Sequence, residues 1–70
     1  MSFIVEHEIE VGRWVPVGVV DAEGDRAVAP ATARLAWDLL PGRFRCLELE
    51  LPWNEWLEVE LAADGVVVEP

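Results

Sequence analysis

Apolar and acidic residues alternate along much of this chain. Leu57, Val59 and Leu61 fall on one side of a short run, and Glu58 and Glu60 fall on the other. A period of two marks a β-strand, because successive side chains point to opposite faces of a sheet. The run before it has the same design, with Leu47, Leu49 and Leu51 opposing Cys46, Glu48 and Glu50. Between them, residues 51–55 read LPWNE and have the character of a turn. Together these runs predict a hairpin with one apolar and one acidic face. Phe44 and Cys46 fall out of phase with the leucines that follow, which a bulge near Cys46 would reconcile.

The start of the chain repeats the pattern. Phe3, Val5, His7, Ile9 and Val11 share one face, while Ile4, Glu6, Glu8 and Glu10 share the other. Gly12-Arg13 interrupts, and Val15, Val17 and Val19 then resume on one face. The spacing predicts a first hairpin with strands over residues 3–11 and 14–20. Pro16 has no N–H to give a ladder, so the second strand is expected to be an edge there or to carry a bulge. Pro16 and Gly18 are expected on the Trp14 side, as a flat patch on which a ring could lie.

Residues 31–40, ATARLAWDLL, have helical character. Leu35 and Leu39 lie four apart with Ala31 above them, and Ala36 with Leu40 forms the adjoining row. Pro30 suits the first turn of such a helix and Pro41-Gly42 its end. Arg34 and Asp38 are spaced to pair on its exposed side. A helix of about ten residues is unstable alone in water, so it is expected to lie on the sheet. After a turn at residues 62–65, Val66, Val67 and Val68 read as a further short strand. The expected fold is therefore α+β, a single small domain over residues 1–70. It has an antiparallel or mixed sheet of four to five strands, one short helix packed on one face, and the order β-β-α-β-β(-β). The two hairpins on either side of the helix give a loose twofold echo.

Composition narrows what such a domain does. Fourteen acidic residues face five arginines, with no lysine, for a net charge of −9 on 70 residues. That balance repels phosphates and anionic lipid, so direct nucleic-acid or membrane-surface binding is not expected. No apolar run approaches the roughly 18 residues of a bilayer span, and no basic leader opens the chain, so the cytoplasm is the expected compartment. A chain this small buries only about 60% of its unfolded surface, and self-association as a homodimer is the expected source of added stability. The single cysteine, Cys46, excludes an internal disulfide and reads as a small buried hydrophobe.

Candidate chemistry is sparse. Asp21, Glu23 and Asp25 are spaced like calcium-loop ligands, but the sixth position counted from Asp21 is Arg26 and the twelfth is Thr32, so the motif fails. One cysteine and one histidine do not make a zinc site. Ser2 is the only serine, and no nucleophilic triad can be assembled. His7 is in phase with the core-facing residues and reads as an inward or rim histidine. No catalytic, cofactor or metal residues are assigned, and enzyme activity is not expected.

What remains is the acidic face. With the leucines and valines turned to the helix, Glu6, Glu8, Glu10, Glu48, Glu50, Glu58 and Glu60 would all project from the other side of the sheet. Such a face is either solvated, or a weak cation binder, or a docking surface for an arginine- or lysine-rich partner, including the special case of a DNA mimic. Four tryptophans in 70 residues add to it, since Trp56 is in phase with Glu58 and Glu60 and Trp14 lies on the same outer side. Aromatic anchors among charges are typical of interface hot spots. The expected function is a non-enzymatic protein–protein interaction module of the inhibitor, antitoxin, adaptor or phage-accessory kind. It would dock a basic protein surface, or another copy of itself, through Glu48, Glu50, Trp56, Glu58, Glu60 and Trp14. The alternative is a carbohydrate- or ligand-binding domain with Trp53 and Trp56 as its platform, beside Asn54 and Glu55.

Overall fold

In a computed structural model that describes residues 1–50 and 55–69, four antiparallel strands build one sheet. They are β1 (Ser2–Glu10), β2 (Arg13–Asp21), β3 (Gly42–Glu48) and β4 (Leu57–Leu61), in the spatial order β2-β1-β3-β4. The helix α1 (Asp25–Leu35) follows β2, and a single 3₁₀ turn at Trp37–Leu39 leads through the cis peptide Leu40–Pro41 into β3. The expected order of two strands, a helix and two strands is the observed one, and α1 covers one face. Val66–Val68 adds no full strand. It contributes a bridge from Val67 to Leu61 and a hydrogen bond from the Val68 N–H to the Glu60 carbonyl.

The core lies between α1 and the sheet. Phe3, Val5, Phe44, Cys46 and Leu61 meet Val28, Ala31, Thr32 and Ala36, all buried. Three local expectations are corrected by the way this core is filled. First, the helix starts at Asp25, so Pro30 lies inside it rather than in its first turn. Val28, Ala31, Thr32 and Leu35 are spaced i, i+3, i+4 and i+7, and burying Val28 completely extends the helix a turn and more ahead of the proline. The helix then stops at Leu35, and the 3₁₀ turn takes Asp38 out of the helical relation to Arg34. Trp37, on that turn, is 73% exposed.

Second, β2 is the edge strand with a bulge that Pro16 implied, and what is corrected is the single face expected for Val15, Val17 and Val19 and the side expected for Gly18. Val5 pairs with Gly18 and Glu6 with Pro16, so Val17 is the extra residue. The bulge resets the alternation. Val15 opposes His7 on the helix side, whereas Val19 opposes Ile4 on the other side and is 55% exposed. Gly18 is therefore on the helix side, where Leu35 packs against it. A Cβ there would stand 3.3 Å from Leu35 Cδ2.

Third, β3 runs without a bulge in the opposite phase to the leucines. Its ladders to β1 and β4 are unbroken, with Phe44 opposite His7 and Val59, and Cys46 opposite Val5 and Leu57. Phe44 and Cys46 face the helix and Leu47 faces away. Glu48, opposite buried Phe3, is thus on the helix side, and Glu50 lies in the turn beyond the strand. Leu51 lies outside the described residues.

The two inner strands, β1 and β3, are antiparallel, and each carries its hairpin partner on its outer side. A dyad between them would exchange the hairpins. The helix breaks that symmetry, because it packs mainly against β2 and only lightly against β4. After β4 the chain makes a turn at Ala62–Gly65 and returns along the edge of β4, and no second helix follows among the described residues.

Candidate interaction site

The sheet face opposite α1 is open, and it is not the uniformly acidic face expected. In Arg43-Phe44-Arg45 the alternation that sends Phe44 inward sends both arginines outward. Arg45 stands in register between Glu6 on β1 and Glu58 on β4, and Arg43 is opposite Glu60. Arg45 Nη2 and Nε lie 2.6 Å and 2.7 Å from Glu6 Oε1. Arg43 reaches Glu58 Oε1 at 3.2 Å and Glu8 Oε1 at 3.6 Å. Opposite charges thus face each other across β3 and β4, which is the favourable cross-strand arrangement.

Trp14 and Trp56 do share this face. The Arg45 guanidinium lies 4.7 Å from the Trp14 ring centroid and 4.1 Å from that of Trp56. Both rings thus hold a cation of the chain itself. Of the six residues expected to contact a partner, Trp14, Trp56, Glu58 and Glu60 are brought together here. Glu48 is not, because of the phase of β3, and Glu50 is not, because it lies in the turn beyond the strand. Trp53 and Asn54, half of the expected sugar platform, lie outside the described residues.

A different acidic feature emerges from topology. The antiparallel connections bring the start of β1, the end of β2, the start of α1, the end of β3 and the start of β4 to one end of the molecule. Asp21, Glu23, Asp25, Glu48, Glu50 and Glu55 gather there, with Arg26 as the one guanidinium among the described residues at that end. Arg13, Arg34 and Arg43 lie at the other end, and Arg45 lies between. These acids come from separate stretches of sequence, so no local motif announces them. Only the strand order, which single-chain periodicity leaves open, joins them.

A cavity of about 310 Å³ opens at this end, lined by Phe3, Cys46, Trp56 and Leu57, with Asp25, Glu48 and Glu55 around it. Its floor is set by the Phe3–Glu48 and Cys46–Leu57 pairs of the two ladders. Cys46 is fully buried, and its Sγ lies 3.4 Å from Thr32 Oγ1. Burial pushes its thiol pKa up, and the Thr32 hydrogen bond partly offsets this. His7 sits at the far rim of the core, stacked on Phe44 with ring centroids 4.9 Å apart. Among the described residues no three His, Cys, Asp or Glu side chains are grouped to hold a metal ion. No helix among them is long and apolar enough to cross a membrane. No family model matches the chain, and no curated protein or solved structure matches it significantly.

Proposed function

We propose that this protein is a non-enzymatic interaction module that docks a basic protein surface at its acidic end. The observation that supports this reading is the cavity walled by Phe3, Trp56 and Leu57 and bordered by Asp25, Glu48 and Glu55, at the end of the molecule where Asp21, Glu23 and Glu50 also lie. Carboxylates concentrated on one end attract and orient a cationic partner, and an apolar recess among them gives that partner something to bury. The open sheet face is a weaker candidate for such docking, because Arg43 and Arg45 already pair with three of its glutamates, Glu6, Glu8 and Glu58. A second copy of this chain would present the same negative end. Self-association through it is disfavoured, and any homodimer would use another surface.

The test is co-purification of the tagged chain from its host with partners identified by mass spectrometry. The wash is raised from about 0.1 M to about 1 M salt, which shortens the screening length from about 10 Å to about 3 Å. A basic protein retained at low salt and released at high salt is expected. Charge reversal at Glu48, Glu50 and Glu55 should abolish its retention, whereas reversal at Glu58 and Glu60 should only weaken it. Retention indifferent to the first set would overturn the assignment of the acidic end. Light scattering on the purified chain reads self-association separately.

A further inference from the structure

The cavity at the acidic end continues into a groove. A second recess of about 270 Å³ lies between the first turns of α1 and strand β4. Its apolar lining is Val28 and Ala29 from the helix, Leu57 and Val59 from β4, and Val67 from the closing segment. Asp25 and Leu57 line both recesses, so the two adjoin. Leu57 and Val67 are 37% and 38% exposed, although they stand on the core side of the fold. The cause is the off-centre helix. The dyad that would exchange the two hairpins would also place a helix over β3 and β4, and this chain has none there among the described residues.

We infer that this groove receives a short amphipathic segment of the partner, its apolar side chains on Leu57, Val59 and Val67 and its lysines or arginines against Asp25, Glu48 and Glu55. Charge complementarity decides the occupant. Three carboxylates from three different parts of the chain border the adjoining cavity, and Arg26 is the one cation among the described residues of the groove wall. A neutral apolar segment would bury the same surface and gain nothing from the acidic border, and an acidic one would be repelled by it. An apolar floor with an acidic border selects a partner with both characters on opposite sides, as helix-in-groove recognition does. The inference rests on the reading that the partner is basic and adds that charge alone does not suffice.

The experiment uses the full chain and three fluorescein-labelled synthetic peptides of equal length. One carries leucine and lysine at helical spacing, one has serine in place of each leucine, and one has glutamate in place of each lysine. Fluorescence anisotropy reads binding, and methyl NMR shifts locate it. The leucine–lysine peptide should bind and shift the methyls of Val28, Leu57, Val59 and Val67, leaving Val19 on the open face unmoved. The serine peptide should bind about tenfold or more weaker for each buried leucine it replaces. The glutamate peptide should not bind. Ala29→Trp, which fills the groove, should weaken the leucine–lysine peptide by a similar factor. Should that variant misfold by circular dichroism, Val67→Lys provides the same loss from the other wall. Equal binding of the leucine and serine peptides would overturn the groove and leave the acidic end standing. Binding of neither would bring down both.

Discussion

The guanidinium of Arg45 is stacked on Trp56, its central carbon 4.1 Å from the ring centroid. The same group also lies over Trp14 and is paired with Glu6. One side chain of β3 thereby ties together β1, β2 and the approach to β4 across the open face. The Arg45 and Glu6 side chains are only 27% and 17% exposed, so water screens this pair less than it does the chain's surface pairs.

Replacing Arg45 with methionine should therefore cost about 1–3 kcal/mol, since it leaves the half-buried Glu6 carboxylate without its partner. Arg45→Lys keeps the charge but gives up the planar stack and the two-nitrogen pairing, and should fall between. Urea unfolding followed by tryptophan emission measures both. A methionine variant as stable as the parent would show that the cluster contributes little.

Cys46 should be inert in the folded chain. A thiol reagent at neutral pH should label it only in denaturant, because it is fully buried. Its folded pKa is raised, by burial first. The unfolded chain then releases the proton before the folded one does. The associated stability is complete below the unfolded thiol pKa and is lost as pH rises through the folded value. The melting temperature of the parent should decline more steeply at alkaline pH than that of Cys46→Ala, each compared with its own neutral value. Parallel declines would assign the effect to other groups.

Pro30 sits in the interior of α1 and has no N–H for the Arg26 carbonyl four residues earlier. Such a proline costs about 3 kcal/mol in a helix and returns only about 0.4–1 kcal/mol by restricting the unfolded chain. Pro30→Ala should raise stability by about 2 kcal/mol, read as a higher urea midpoint. A lowered midpoint would mean that the proline is held by packing.

Two glycines should respond differently to alanine. A Cβ on Gly42 would stand 3.0 Å from His7 Nε2 and 3.1 Å from the backbone oxygen of Leu39. The backbone cannot swing aside, so Gly42→Ala should cost about 1–3 kcal/mol. At Gly18 the obstacle is the tip of Leu35, which can turn, and the loss should be no more than about 1 kcal/mol. Equal effects at the two sites would contradict this distinction.

The fold class was legible because a period of two separated from a period of 3.6 is local information. Placement failed where two local signals competed. The stretch from Phe44 to Leu51 holds two apolar sets in opposite phase, and the leucines outnumber Phe44 and Cys46. The decision belongs to partners distant in sequence: Phe44 stacks on His7, and Arg43 and Arg45 meet Glu58, Glu8 and Glu6. The alternation of Arg43-Phe44-Arg45-Cys46 was itself a signal for that phase. Pro30 misled because it is most at home in a first turn, whereas buried Val28 carries the helix past it. Glu48 shows how this reaches the site. Its identity as a candidate contact was readable, but its side of the sheet depended on the phase of β3.

The strand order also sets an order of release. β1 and β3 are bonded on both sides, and they should hold their amide protons against exchange with solvent longest. β4 is bonded fully to β3 alone, spans Leu57–Leu61, and is backed on its outer edge only by Val67 and Val68 among the described residues. It is the element whose detachment disturbs the rest least. Local opening at β4 would unzip one hairpin and leave β1, β2 and α1 assembled. The β4 wall of the groove is thus the part of the molecule that gives way first, and whatever occupies the groove would be felt as slowed exchange in β4 before any change in the global melt.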